Sequence, residues 1–301
     1  MIPEAVSIRE VGPRDGLQIE DPVPLDAKIR LLDALAATGV PRIEATSFVS
    51  PRAVPALADA ADLAAELYRW PNIEFSALVA GVGGTRRALE AGIRTVEYVV
   101  SAADGHSQAN TKSSTSEAVA RIEEIVGLVH DAGGKVEVII ATAWDCPFDG
   151  PTDQERPLWI AEHAVKCGAD QISLADTIGT ATPGRVARLV DSVHSRLGEV
   201  NLGAHFHNTR GVGLACALTA VEHGVRYLDA SVGGLGGCPF APGASGNIAT
   251  EELAFMLADL GVDTGVDVAE AIRAAGVAED VVGHAVPSNL LRAGLPRPAA
   301  E

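Results

Sequence analysis

The 301-residue sequence has no run rich in lysine and arginine: 23 basic residues face 40 acidic ones spread along the chain, for a formal net charge of −17 at pH 7. That balance argues against a nucleic-acid or anionic-lipid partner bound by neutralising phosphates, so any anionic ligand must be met by a few local cations. No window approaches the roughly 20 apolar residues that span a bilayer, and no membrane association is expected. The start, MIPEAVSIREV, shows neither a basic region followed by an apolar one nor an Arg/Ser-rich leader, from which a cytoplasmic location is expected. Four cysteines, at 146, 167, 216 and 238, form no CxxC pair, which speaks against zinc-finger, thioredoxin-like and disulfide-stapled readings. No GxGxxG follows the first strand-like run, and no break in composition marks an inter-domain linker.

What is present is apolar mass: 47 % of the residues are hydrophobic, mainly Ala, Val, Ile and Leu with few aromatics, enough to bury a large core. Short runs rich in Val, Ile and Thr alternate with longer segments of helical period, the signature of βαβ units and a parallel sheet. Strands are expected near 5–11, 41–46, 73–79, 95–101, 136–142, 170–175, 202–207 and 226–232. Helices are expected near 26–38, 53–69, 84–91, 116–132, 155–167, 184–197, 210–223 and 250–260, several stopping at a glycine, as in ATG, EAG, DAG, KCG and EHG. Eight strand–helix units predict an α/β fold, a (β/α)8 TIM barrel, with a doubly wound open sheet as the alternative. The chain reads as a single catalytic domain, its barrel over about 5–262 and a short C-terminal helical appendage and tail over about 263–301, with helices near 267–275 and 286–293.

In such a barrel the active site lies at the carboxyl ends of the strands. Arg14 and Asp15 follow the first strand, Glu44, Thr46 and Ser47 close the second, and Asp176 and Thr177 end the sixth. The seventh ends AHFHN, and alternation of faces aims His205 and His207 the same way with Phe206 opposite, so that two imidazoles could grip one metal ion. An HxH pair can equally be structural; its place at a strand end, near Asp15 across a closed barrel, favours a shared site. Two nitrogens with carboxylate or amide oxygens and no thiolate suit a hard to borderline divalent cation, Mg²⁺ or Mn²⁺, with Zn²⁺ also compatible. Blander roles stay open for the acids: Glu44 as salt-bridge partner of Arg14 or Arg42, Asp176 as cap of the turn that follows it. Cys238 sits in SVGGLGGCPFAPGASGN (231–247), among six glycines, where a thiol cannot help a core; a surface turn, a redox-sensitive bystander and a chemical role all remain open.

Five stretches carry a resemblance: EVGPRDGLQ (10–18), IEATSFVSP (43–51), SLADTIGTATPG (173–184), AHFHNTRG (204–211) and GLGGCPFAPGASGNIATEEL (234–253). They closely resemble the 3-hydroxy-3-methylglutaryl-CoA lyases, members of the metal-dependent lyase and Claisen-condensing TIM-barrel superfamily, over about residues 5–275. The RDG and HxH elements resemble the whole superfamily, isopropylmalate and homocitrate synthases included, whereas the resemblance of GLGGCP followed by GASGN is far more specific to the lyases. The resemblance implies that Asp15, His205, His207 and Asn247 bind the divalent cation, that Arg14 polarises the thioester carbonyl, and that Cys238 moves a proton from a mobile loop. His205 and Asp15 would share in catalysis, Glu44, Asp176 and Glu251 would support the site, and Gln18, Asn110, Thr177, Gly237 and Glu251 would contact substrate alongside Arg14. The implied reaction is a retro-Claisen cleavage of 3-hydroxy-3-methylglutaryl-CoA to acetyl-CoA and acetoacetate. The implied partner is a small acyl-CoA, the implied assembly a homodimer and the implied pathway leucine breakdown. A related 3-hydroxy-3-alkylglutaryl-CoA is the alternative substrate; a Claisen-type synthase is less expected, since the chain ends near 301 without room for a large regulatory region.

Two departures bear on the acyl group. The lyases resembled here read HDTYG after the second histidine, where this chain has Asn208 and Arg210, exchanging a negative charge for a positive one. The segment SAADGHSQAN (101–110) has Ala103 and Asp104 where the lyases carry Ser and Glu.

Overall fold

The computed structural model describes residues 2–237 and 246–296. Among them, eight parallel strands close into a barrel in chain order: β1 (Ser7–Glu10), β2 (Arg42–Ser47), β3 (Glu74–Val79), β4 (Thr95–Ser101), β5 (Lys135–Ala141), β6 (Gln171–Asp176), β7 (Leu202–Phe206) and β8 (Tyr227–Ala230), with β8 pairing back onto β1. Each strand's ends lie within two residues of its sequence reading. The closed order excludes the doubly wound sheet.

The outer ring begins with α1 (Leu25–Ala37), α2 (Ala60–Glu66), α3 (Val82–Glu90), α4 (Asp104–Thr111), α5 (Thr115–Ala120) and α6 (Ile122–Asp131). It continues with α7 (Glu155–Lys166), α8 (Pro183–Leu197), α9 (Gly213–Glu222) and α10 (Thr250–Asp259), after which come α11 (Val268–Val282) and α12 (Asn289–Ala293). The five glycine stops all take positive φ, from 71° at Gly133 to 108° at Gly224, the left-handed geometry that ends a helix without a Cβ penalty.

Four helix expectations change, one of them at the C-terminus, where the helix expected over 267–275 runs on to Val282. The helix over 53–69 shrinks to α2, flanked by tight turns at Pro55–Leu57 and Leu67–Arg69. The helix over 116–132 divides at Arg121, whose N–H bonds to Ala118 O rather than four residues back. Helix α4, absent from the sequence reading, has no apolar stripe and is held by side chains from outside it: Asp149 Oδ2 accepts Gly105 N at 2.7 Å. Asp104 Oδ1 likewise accepts Thr115 N at 2.8 Å.

Two chemically different faces follow from strand alternation. Ile8, Val96, Tyr98, Val138, Ile172 and Leu228 are buried in the layer between strands and helices. The barrel interior is charged. Arg9 of β1 reaches Glu97 of β4, Glu137 of β5 and Asp229 of β8, contacts that only inward-facing side chains can make. Past the barrel, Val6 N bonds Asp263 O and Asp267 N bonds Thr38 O, and α11 then packs on α1. The chain beyond α11 brings Val286 against Gly233, so the appendage buttresses the glycine turn at the end of β8.

Candidate active site

The site starts with the turn after β1. Gly12–Gly16 forms one wide helical turn with Pro13 near its start, closed by Asp15 N and Gly16 N on Val11 O. This turn delivers Arg14 and Asp15, both buried, to the mouth of the barrel. Glu10, at the end of β1, fastens it: Oε1 accepts Gly12 N at 2.7 Å and Val232 N at 2.9 Å, and Oε2 accepts the Thr250 hydroxyl at 2.5 Å. One carboxyl thus ties the Arg14–Asp15 turn, the glycine turn after β8 and the start of α10. Burial pushes Glu10 up to about 7, against the pull of those three hydrogen bonds.

Asp15 is the most heavily partnered group. Its Oδ1 accepts Arg14 Nη1 at 2.5 Å and Gln18 Nε2 at 2.7 Å, and its Oδ2 accepts Asn247 Nδ2 at 2.7 Å and lies 3.7 Å from His207 Nε2. Burial opposes its charge, yet Arg14 and the two imidazoles hold it far below the ordinary carboxylate range. One ligand atom from each of Asp15, His205 and His207 falls within 4.8 Å of the other two, all three buried. The 246–249 segment supplies Asn247 by running back between the ends of β7 and β8. His207 and Asn247 form an antiparallel bridge, and Ile248 N bonds Phe206 O while Ser231 N bonds Ile248 O. Among the described residues, Asn247 Oδ1 and His207 Nδ1 are buried without a hydrogen-bond partner. Buried unpartnered acceptors beside an ionised carboxylate, two imidazoles and an amide fit a divalent cation; nothing in the donor set is soft enough to demand a thiophilic one.

Around this set the expected supports take definite positions. Arg14 Nε lies 2.7 Å from Glu44 Oε2, so Glu44 pairs with Arg14, while Arg42 turns to Glu74 and Glu137. Burial, reinforced by the neighbouring charge of Glu97, pushes Glu44 well above the ordinary range despite Arg14. Asp176 caps the turn after β6 by accepting Thr180 N and Ala181 N at 2.9 Å each. Thr177 Oγ1 accepts the amide of Thr142, which holds a positive φ of 53° unusual for a β-branched residue. Glu251 Oε2 accepts Gly233 N at 3.1 Å, and burial pushes its carboxyl up to about 6. Gly237 is buried next to Gly236, whose φ of 113° no other residue adopts easily; a Cβ there would lie 2.6 Å from Asn247 Nδ2. Asn110 is exposed on α4 and takes no part in the hydrogen-bonded cluster around Asp15 among the described residues. Cys238 lies outside the described residues.

The two departures resolve structurally. Asn208 Oδ1 accepts Gly213 N at the start of α9, and Arg210 Nη1 donates to Ile178 O and Gly179 O, each at 2.9 Å. Both side chains join neighbouring loops instead of adding charge beside Asp15. Asp104 ion-pairs with Arg156 at 2.9 Å, and Ala103 is buried behind it.

The sequence reading missed Glu10, Arg9, Asp229 and Glu97. A signal existed: each of these strands carries one or two charges in an otherwise apolar run, and a barrel strand buried on both faces can hold a charge only if another strand pairs it. His205 Nδ1 meets Asp229 Oδ2 at 3.1 Å in this way.

Eight parallel strands closed into a barrel, with Asp15, His205, His207 and a buried arginine at their carboxyl ends, define a TIM-barrel enzyme with a candidate cation site. The chain belongs to the HMGL-like family, whose model matches residues 5–277. It is 42 % identical to an (R)-citramalyl-CoA lyase of Chloroflexus aurantiacus, over 97 % of this chain and 95 % of that one. It is 37 % identical to a hydroxymethylglutaryl-CoA lyase of Bacillus subtilis, over 96 % and 97 %. The solved structure of an HMG-CoA lyase from Acinetobacter baumannii, in complex with coenzyme A and 3-methylmalate, superposes with a TM-score of 0.92 at 40 % identity, covering 98 % of both chains. The protein is an enzyme of this lyase type.

Proposed function

We propose that the chain cleaves 3-hydroxy-3-methylglutaryl-CoA to acetyl-CoA and acetoacetate. The observation that carries the reading is the convergence of Asp15, His205 and His207 beside Arg14 at the barrel mouth. Asp15, His205, His207 and Asn247 would hold a divalent cation, which when bound supplies Lewis-acid polarisation of the substrate's C3 hydroxyl and distal carboxylate.

Cleavage of the C2–C3 bond removes the hydroxyl proton and leaves enolate charge on the acetyl-CoA fragment. Arg14, clamped between Asp15 and Glu44, presents a permanently charged, planar donor to the thioester oxygen where that charge develops. His205, with Nδ1 toward Asp229, has Nε2 to hold the cation, and the hydroxyl proton, made acidic by that cation, leaves to water. Cys238, from its place in the glycine-rich sequence, delivers the proton that C2 needs. Gln18 and Glu251 steady the walls through Asp15 and the glycine turn.

A second substrate is favoured by the 42 % identity to a citramalyl-CoA lyase. Citramalyl-CoA is also a 3-hydroxy-3-methyl thioester with a distal carboxylate, one carbon shorter, and the same residues would act on it. Comparing kcat/KM for the two thioesters, with Mg²⁺ or Mn²⁺ restored to EDTA-stripped protein, decides: the proposal expects the methylglutaryl thioester to win by tenfold or more. A reversed ratio would assign the shorter substrate.

A further inference from the structure

A row of side chains crosses the barrel interior beneath the site. The register of adjacent strands sets Arg9 of β1 beside Asp229 of β8, and Asp229 beside His205 of β7. All three are buried. Arg9 Nε donates to Asp229 Oδ1 and Nη2 donates to Oδ2, both at 2.9 Å. On its far side the guanidinium meets Glu137 Oε2 at 2.5 Å and Glu97 Oε1 at 2.8 Å. The same Oδ2 that takes Arg9 lies 3.1 Å from His205 Nδ1. An ionised carboxylate only accepts, so this contact puts the imidazole proton on Nδ1 and leaves the lone pair on Nε2.

We propose that Arg9 is a positioning residue: by gripping both oxygens of Asp229 against Glu137 and Glu97, it fixes the tautomer and ring orientation in which Nε2 of His205 would hold the cation. The inference rests on reading Asp15, His205 and His207 as a cation site, while the row of contacts exists independently of that reading. Stability alone gives no reason for the row, since buried ion clusters add little over apolar residues of the same volume. Geometry does. A carboxylate holding one imidazole N–H can pivot about its side-chain torsions, and a planar five-donor fork on its two oxygens removes that freedom. Lysine, a single point of charge, can neutralise Asp229 but cannot bridge it to Glu137 with the same fork. Outer partners of a ligating histidine set ring orientation and typically weigh 10–100-fold in metal affinity.

The test is Arg9→Lys, read in three ways. Long-range ¹H–¹⁵N spectra of EDTA-stripped, histidine-labelled protein report the His205 tautomer; electron paramagnetic resonance of free Mn²⁺ gives the affinity; steady-state kinetics separates kcat from KM. The expected result is a single Nδ1–H tautomer in the wild type and a mixture in the variant, with Mn²⁺ affinity lowered by about 10–100-fold. Turnover should fall while KM for the thioester stays within about threefold. An unchanged tautomer and unchanged Mn²⁺ affinity would overturn the proposal and leave Arg9 a structural counter-ion. Should Arg9→Lys fail to fold, the charge-balanced pair Arg9→Met/Glu137→Gln decides on the same readouts. Wild-type protein that binds no Mn²⁺ would defeat the cation-site reading instead, and the tautomer spectra would still judge Arg9.

Discussion

At the residue scale, the chemistry concentrates on a few buried charges whose neighbours set their state. Arg14 is fixed by Asp15 on one side and Glu44 on the other, which aims a planar donor that lysine cannot imitate. Arg14→Lys is therefore expected to lower kcat by about 10²–10³ while Mn²⁺ affinity changes only a few-fold, because the cation ligands remain. Equal kcat in the two proteins would remove Arg14 from the stabilisation of developing charge. Glu10 gives a pH prediction. Its carboxyl titrates near 7 when folded against an ordinary 4.5, so between those values the folded protein keeps a proton that the unfolded chain has released. Stability from this group is complete below about 4.5 and is lost as pH rises through 7. Glu10→Gln, which keeps the acceptor for Gly12 and Val232, should therefore gain on the wild type as pH rises from 5 to 8, by ~2–3 kcal/mol at the upper end. A difference in thermal midpoint that stays flat across that range would contradict the assignment. His205, His207 and Asp15 were legible in the sequence because period-2 alternation and strand-end position suffice to find them. Asp229 and Glu10 were not: their meaning comes from strands more than 200 residues distant in sequence.

At the element scale, the local rules succeeded where apolar periodicity and a glycine stop coincide, as at α1 ending in Gly39 and α9 ending in Gly224, save that the helix stopping at Gly133 divides at Arg121. They failed where tertiary hydrogen bonds do the work. Helix α4 is polar all round and depends on Asp104 and Asp149, so no periodicity announces it. Asn247 belongs to the same class, since only the return of residues 246–249 between β7 and β8 puts its amide on Asp15. The glycine turn makes that return fit. Gly236→Ala would strain a φ of 113° and push a methyl into Asn247 Nδ2. The expected outcome is a loss of ten-fold or more in Mn²⁺ affinity, with barrel secondary structure unchanged by circular dichroism. Wild-type affinity in that variant would show that Asn247 need not sit where it does.

At the scale of the whole molecule, the barrel explains why residues from 14 to 247 converge: strands closed in chain order bring their carboxyl ends to one rim. The C-terminal helices complete this frame, since α11 lies on α1 and Val286 supports Gly233. Among the described residues no helix is long and apolar enough to cross a membrane. With a net charge of −17, the molecule as a whole repels an anionic acyl-CoA, so under the proposed function the guanidinium of Arg14 and a cation held by Asp15 would be the features that attract it. The most direct measurement is acetyl-CoA release from 3-hydroxy-3-methylglutaryl-CoA by EDTA-stripped protein, before and after Mn²⁺ is restored, with Asp15→Asn alongside. The account predicts no release without the cation, full release with it, and loss of both Mn²⁺ binding and turnover in the variant. Cleavage that proceeds equally in stripped protein, or in Asp15→Asn, would contradict it.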